Sequence, residues 1–155
     1  MTSVTDVAKF LLDESARTGV PEMSTMKLQK ICYFAQGWHL AVNDGKPLFE
    51  EDFHSWKYGP VSQELYELHR GMPSVTTDSA RFVDLKSDLT EYQKSFLKNI
   101  FKTYMPYTGL QLGDISHTHK AWIEAGEGKL HDAQENLMHK SSIQRDFVNI
   151  MRGVE

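Results

Sequence analysis

A single cysteine, Cys32, in 155 residues excludes an internal disulfide and suits a reducing compartment. No run approaches the roughly 18 apolar residues of a membrane span. Met1-Thr-Ser-Val-Thr-Asp6 has neither the basic nor the apolar region of a signal peptide. These absences lead us to expect a cytoplasmic protein without a membrane partner. Excess positive charge is missing too: the net charge is −4 with histidines neutral, which argues against a phosphate-backbone binder. Lys94, Lys98 and Lys102 fall on one helix stripe, read as a solvated face. No Gly-rich phosphate loop occurs, and no HExxH or cysteine pair. His117-Thr-His119 lacks the third convergent ligand that a catalytic zinc needs. Cys32 and His39 lie seven residues apart on one helix, about 10 Å along its axis, too far for nucleophile and base. The expectation is no catalytic residue, no metal and no cofactor.

What the chain does have is helix punctuation. Ser3 followed by Asp6, Thr90 followed by Gln93 and Thr108 followed by Gln111 each read as a capping box. The first opens a helix through Val7, Phe10 and Leu11 that stops at Gly19 and Pro21. A second helix runs from near Ser24 to Asn43 and is apolar on more than one side from Ile31 onward, the mark of a buried central helix. Gly59-Pro60 is read as a break with Pro60 at the entry of a helix from Val61 to Arg70. Residues 71–87 read as a loop. Helices follow through Phe96 to Tyr104 and through Leu112 and Ile115, and a last one, capped at Ser141 or Ser142, carries Ile143, Phe147, Ile150 and Met151. The expected fold is mainly α, a single compact helical domain over residues 1–155. A small β element near residues 52–58, with residues 81–85 as its candidate partner, is the most β structure expected.

The stretch His54-Ser-Trp-Lys-Tyr-Gly-Pro-Val61 sets Trp56 and Tyr58 directly before a bend. Such a pair serves either as core or as the anchor of a protein interface. Met26-Lys-Leu-Gln-Lys-Ile-Cys-Tyr-Phe-Ala-Gln-Gly-Trp-His-Leu-Ala41, Lys46-Pro-Leu-Phe49 and Phe53-His-Ser-Trp-Lys-Tyr-Gly-Pro-Val61 together resemble the Panacea domain. This is the SocA-like antitoxin family, which includes phage-associated GepA-type proteins. Its hallmarks are an LQKLxYFAQGWHLA helix, a PLF turn and an AWxYGPV corner, met here in order and at the expected spacing. The segment from Leu112 to Trp122 is similar to a later family motif. It keeps the His117–Trp122 separation, with Ala121 where Pro is common and His119 where an acid is common.

The resemblance implies an antitoxin that neutralises a cognate toxin protein by direct binding, with no separate DNA-binding domain in this chain. Relatives that act as adaptors add a protease as a candidate partner, and a phage- or plasmid-associated regulator of that kind is the alternative function. A small hydrolase using His39, His117 or His119 is a third. Leu28, Tyr33, Gln36, Trp38, Trp56, Gly59, Pro60, His117 and Trp122 are expected to define the fold. His54, Tyr58, Tyr66, Met72 and Val75 are expected to contact the partner. Toxin identity and oligomeric state are left open by the residues.

Overall fold

Residues 1–154 are described by a computed structural model. In chain order the elements are α1 (Val4–Arg17), β1 (Met23–Ser24), α2 (Thr25–Val42), β2 (Phe53–Trp56), β3 (Gly59–Ser62), α3 (Gln63–His69), β4 (Ser74–Val75), α4 (Glu91–Tyr104), α5 (Gly109–Ser116), α6 (Lys120–Glu124), β5 (Leu137–Met138) and α7 (Lys140–Met151). The fold is mainly α with two small sheets, β1–β4 and β3–β2–β5, both antiparallel. The three capping boxes form as the sequence requires, at Ser3, Thr90 and Thr108. Each hydroxyl takes the N3 amide while the N3 side chain returns to the cap backbone.

Helix α2 is the centre of the molecule, packed along α7, α5, α4 and α1. From Leu28 to Gly37 every residue is buried. Its contact with α7 is close because position 37 has no side chain: a Cβ there would fall 2.1 Å from Phe147 Cε2. Tyr33, Phe34 and Phe147 join their rings in that seam, with centroids 5.4–5.8 Å apart. Edge-to-face aromatic contacts of this kind add to plain area burial.

Buried along with these rings is a set of polar side chains through which α2 organises the chain beyond it. Gln36 Nε2 donates to the Phe49 carbonyl at 2.7 Å while its Oε1 accepts from the Leu48 amide at 2.7 Å. Gln29 does the same for Ser62, donating to its carbonyl at 3.0 Å and accepting from its amide at 2.9 Å. Lys30 Nζ donates to the Pro60 carbonyl at 3.0 Å. Strand β3 lies at the edge of its sheet, so these α2 side chains occupy backbone groups that another strand would otherwise satisfy.

Several expectations are corrected. Pro60 lies inside β3, paired with Ser55, and α3 begins later, capped by Ser62. Proline is tolerated on such an edge strand because its missing N–H costs no ladder bond there. The partners of β2 are β3 and β5; residues 81–85 form no strand. Their amides turn back on Ser79 and Phe82, and Lys9 Nζ takes the Phe82 carbonyl at 3.1 Å. Helix α7 starts at Lys140 with His139 as its cap, ahead of Ser141 and Ser142. Ile115, Ile150 and Met151 face solvent.

Candidate functional site

Strands β2 and β3 are joined by only Lys57 and Tyr58. The left-handed residue this turn needs is Gly59, at φ +119, where an added Cβ would meet Lys30 Cε at 2.6 Å. Conformation and space both call for glycine here. The turn is therefore clamped from α2, and it is clamped from the other side as well. Trp122 Nε1 donates to the Trp56 carbonyl at 2.9 Å, and Ser55 Oγ donates to the Trp122 carbonyl at 3.0 Å. The Gly128 amide donates to Ser55 Oγ at 3.1 Å. His117 stacks on Trp122 with centroids 4.2 Å apart at 22°.

On this rigid base Trp56 is half-buried and stands at the middle of a surface groove. One lobe of about 350 Å³ is lined by Trp56, Lys57, Gln63, Leu130, His131 and Asn136, among others. A second of about 410 Å³ is lined by Trp56, Gln63, Glu64, Tyr66 and Glu67. Trp56 and Gln63 border both lobes. The Trp56 and Tyr66 rings meet edge to face, 5.0 Å apart at 69°. Tyr66 in turn packs on His69, whose Nε2 lies 3.0 Å from Gln29 Nε2. A chain of contacts thus runs from the groove wall to the buried polar set of α2.

The expected partner contacts divide. Tyr58 is 55% exposed at the hairpin tip and Tyr66 is half-buried in the groove wall. Met72 is half-buried against the core. Val75 is only 1% exposed, because pairing of β4 with Met23 in β1 turns it inward. His54 is 8% exposed, its Nδ1 bonded to Asn136 Oδ1 at 2.8 Å. Val75 and His54 are thus buried in this structure. Of the residues expected to define the fold, Leu28, Tyr33, Gln36, Gly59, Pro60 and Trp122 are buried, and Trp38, Trp56 and His117 half-buried.

Gln63, Glu64, Glu67 and His131 were not foreseen as part of a site. The one signal that could have raised the first three is Tyr66, a lone aromatic among the polar residues of a short helix.

Titratable side chains are also enclosed in the interior. Burial pushes the Cys32 thiol well up, far from a reactive thiolate. His119 Nδ1 is bonded to the Tyr33 hydroxyl at 2.7 Å, and burial lowers the pKa of this histidine. Asp146, which could have oriented such a pair, instead accepts the Ala121 amide at 2.7 Å and caps α6. Among the described residues no group of three His, Cys, Asp or Glu side chains could hold a metal ion. No described helix is long and apolar enough to cross a membrane.

Comparison with known proteins agrees with the motif block around this groove. Antitoxin SocA of Caulobacter vibrioides (strain NA1000 / CB15N) is 45% identical over 60 residues, which is 39% of this chain and 31% of that protein. The chain therefore aligns with about a third of that relative's length. No solved structure is significantly similar. The profile of a family described as "Antitoxin SocA-like, Panacea domain" matches residues 28–123, from the first turn of α2 through β2, β3 and α3 to α6. That match covers more than half of the chain, and the protein belongs to the SocA-like Panacea-domain antitoxin family.

Proposed function

We propose that this chain is a cytoplasmic antitoxin that neutralises a cognate protein toxin by binding it directly, with the Trp56 groove and the Tyr58 hairpin tip as its contact surface. The observation that carries this reading is Trp56 itself. It is a tryptophan of the family motif, its carbonyl held by the Trp122 indole of α6 yet its side chain left half-exposed between two lobes. Aromatic anchors on a pre-organised base are where interface energy concentrates, since little conformational entropy is lost when they are covered.

Growth and co-purification test it. The neighbouring open reading frame is expressed alone, then with this protein. Growth arrest in the first case, and rescue with a stable complex in the second, is the expected result. Tyr58→Ala and Tyr66→Ala, each checked for an unchanged melting temperature, should each weaken the complex by about 2 kcal/mol, roughly thirtyfold. A harmless neighbour that never co-purifies would remove the antitoxin reading. Rescue that needs a protease, with loss of the toxin itself, would instead indicate an adaptor.

A further inference from the structure

The two lobes beside Trp56 differ in chemistry. Among the described residues, the charged ones that line the second lobe are Glu64 and Glu67, and at i and i+3 they share a helix face. Tyr66 of the same helix also lines the lobe, and its ring meets Trp56 of β2 edge to face at 5.0 Å. Both aromatics are half-buried, so ring surface remains open to the lobe.

Neighbouring cations leave this lobe negative. Arg70 approaches Glu67 only at 3.8 Å, with the two side chains 64% and 61% exposed, so water screens that pair heavily. Lys57 lines the other lobe and holds its ammonium 5.4 Å from the centre of the Tyr58 ring. An anion would be repelled here, and a purely apolar side chain would leave both carboxylates unused. A planar cation suits this lining, with its face on a ring and its N–H groups toward the carboxylates.

We propose that this lobe captures an arginine side chain of the toxin, stacked on Trp56 and Tyr66 and charge-paired with Glu64 and Glu67. The inference rests on the reading of the groove as the antitoxin's contact surface and adds what the partner must present to it.

The test reads the lobe without the toxin. N-acetyl-arginine amide is titrated into the ¹⁵N-labelled protein while the Trp56 indole N–H resonance is followed. The expected result is a saturable shift with half-saturation on the order of 10 mM, typical of a single side chain on an exposed site. N-acetyl-norleucine amide should leave the resonance unmoved. The double variant Glu64→Gln/Glu67→Gln, whose substitutions lie on the surface and keep side-chain volume, should bind the arginine probe at least fivefold more weakly.

No saturable shift, an equal response to the norleucine probe, or unchanged binding by the double variant would each overturn the proposal. Any of these results leaves the antitoxin reading to the growth experiment. Conversely, failed rescue with an intact arginine response removes the toxin as the source and keeps the cation site.

Discussion

Lys30 shows how a single residue of the central helix serves the site. Only 1% exposed, it reaches one backbone carbonyl, that of Pro60, and no carboxylate lies within ion-pair distance among the described residues. Burial lowers its pKa from 10.5 to about 8, because an ammonium removed from water without a counter-charge is destabilised. Between these two values the unfolded chain binds the proton and the folded one does not, so stability rises with pH across the window. The full shift corresponds to roughly 3 kcal/mol, present above pH 10.5 and lost as pH falls through about 8. Urea unfolding of the wild type and of Lys30→Met at pH 7 through 10 checks this. The difference between the two curves isolates the lysine from tyrosine ionisation, and a difference that stays flat with pH would show a solvated amine. Gln29 is the companion case. Gln29→Leu leaves the Ser62 amide and carbonyl without their bonds and should cost about 2–6 kcal/mol in the same assay, since each orphaned buried group costs on the order of 1–3 kcal/mol.

Between elements, the closest fit is that of α2 on α7. Gly37→Ala would drive a methyl to within 2.4 Å of three Phe147 ring carbons, so the seam must open or the ring must leave it. A loss of about 2–3 kcal/mol is expected, as for other overpacked cores. Phe147→Leu should be less harmful in the Gly37→Ala background than alone, a coupling that a double-mutant cycle of denaturation free energies would measure. Additive effects would mean that the helices part without involving the ring. This scale also separates what could be read in advance from what could not. Capping boxes at Ser3, Thr90 and Thr108 were legible because the atoms that satisfy them lie within three residues. Strand β3 was not, because Gly59–Ser62 is made a strand by β2 and by Gln29 and Lys30, about 30 positions away. Residues 81–85 carry an alternating pattern, yet only Phe82 is buried there, and its carbonyl is claimed by Lys9 of α1. The groove was half legible for the same reason. Trp56 and Tyr58 announced themselves by type and place, whereas Glu64 and Glu67 look like any solvated helix face until β2 is laid against α3.

Over the whole molecule four histidines are buried, and three of them share a direction of pKa shift: His39 in α2, His69 in α3 and His119 before α6. Burial is the largest influence on each and lowers each pKa from 6.5, outweighing the Lys46 carbonyl at His39 and the Asp146 charge near His119. At His69, Lys30 and Arg81 push in the same direction as burial. Geometry at His69 agrees with the neutral ring. With its Oε1 accepting from the Ser62 amide, Gln29 presents its NH₂ both to the Ser62 carbonyl and to His69 Nε2. That nitrogen must therefore accept, and a proton on it would set donor against donor. Unfolding releases all three rings to water, where they bind protons below about pH 6.5. Stability is thus complete above that pH and falls as acid is added through the lowered folded values. The slope can approach three protons, each worth about 1.4 kcal/mol per pH unit. Glu14, held below the usual carboxylate range by its hydrogen bond to Arg17, releases its contribution only in stronger acid. The interval from pH 6.5 to 5 therefore reports the histidines. Urea unfolding across it should show a net uptake of protons, and His69→Gln should reduce that uptake. No net uptake would mean that these rings already carry their charge in the folded state, and that the polar centre is wetter than its hydrogen bonds describe.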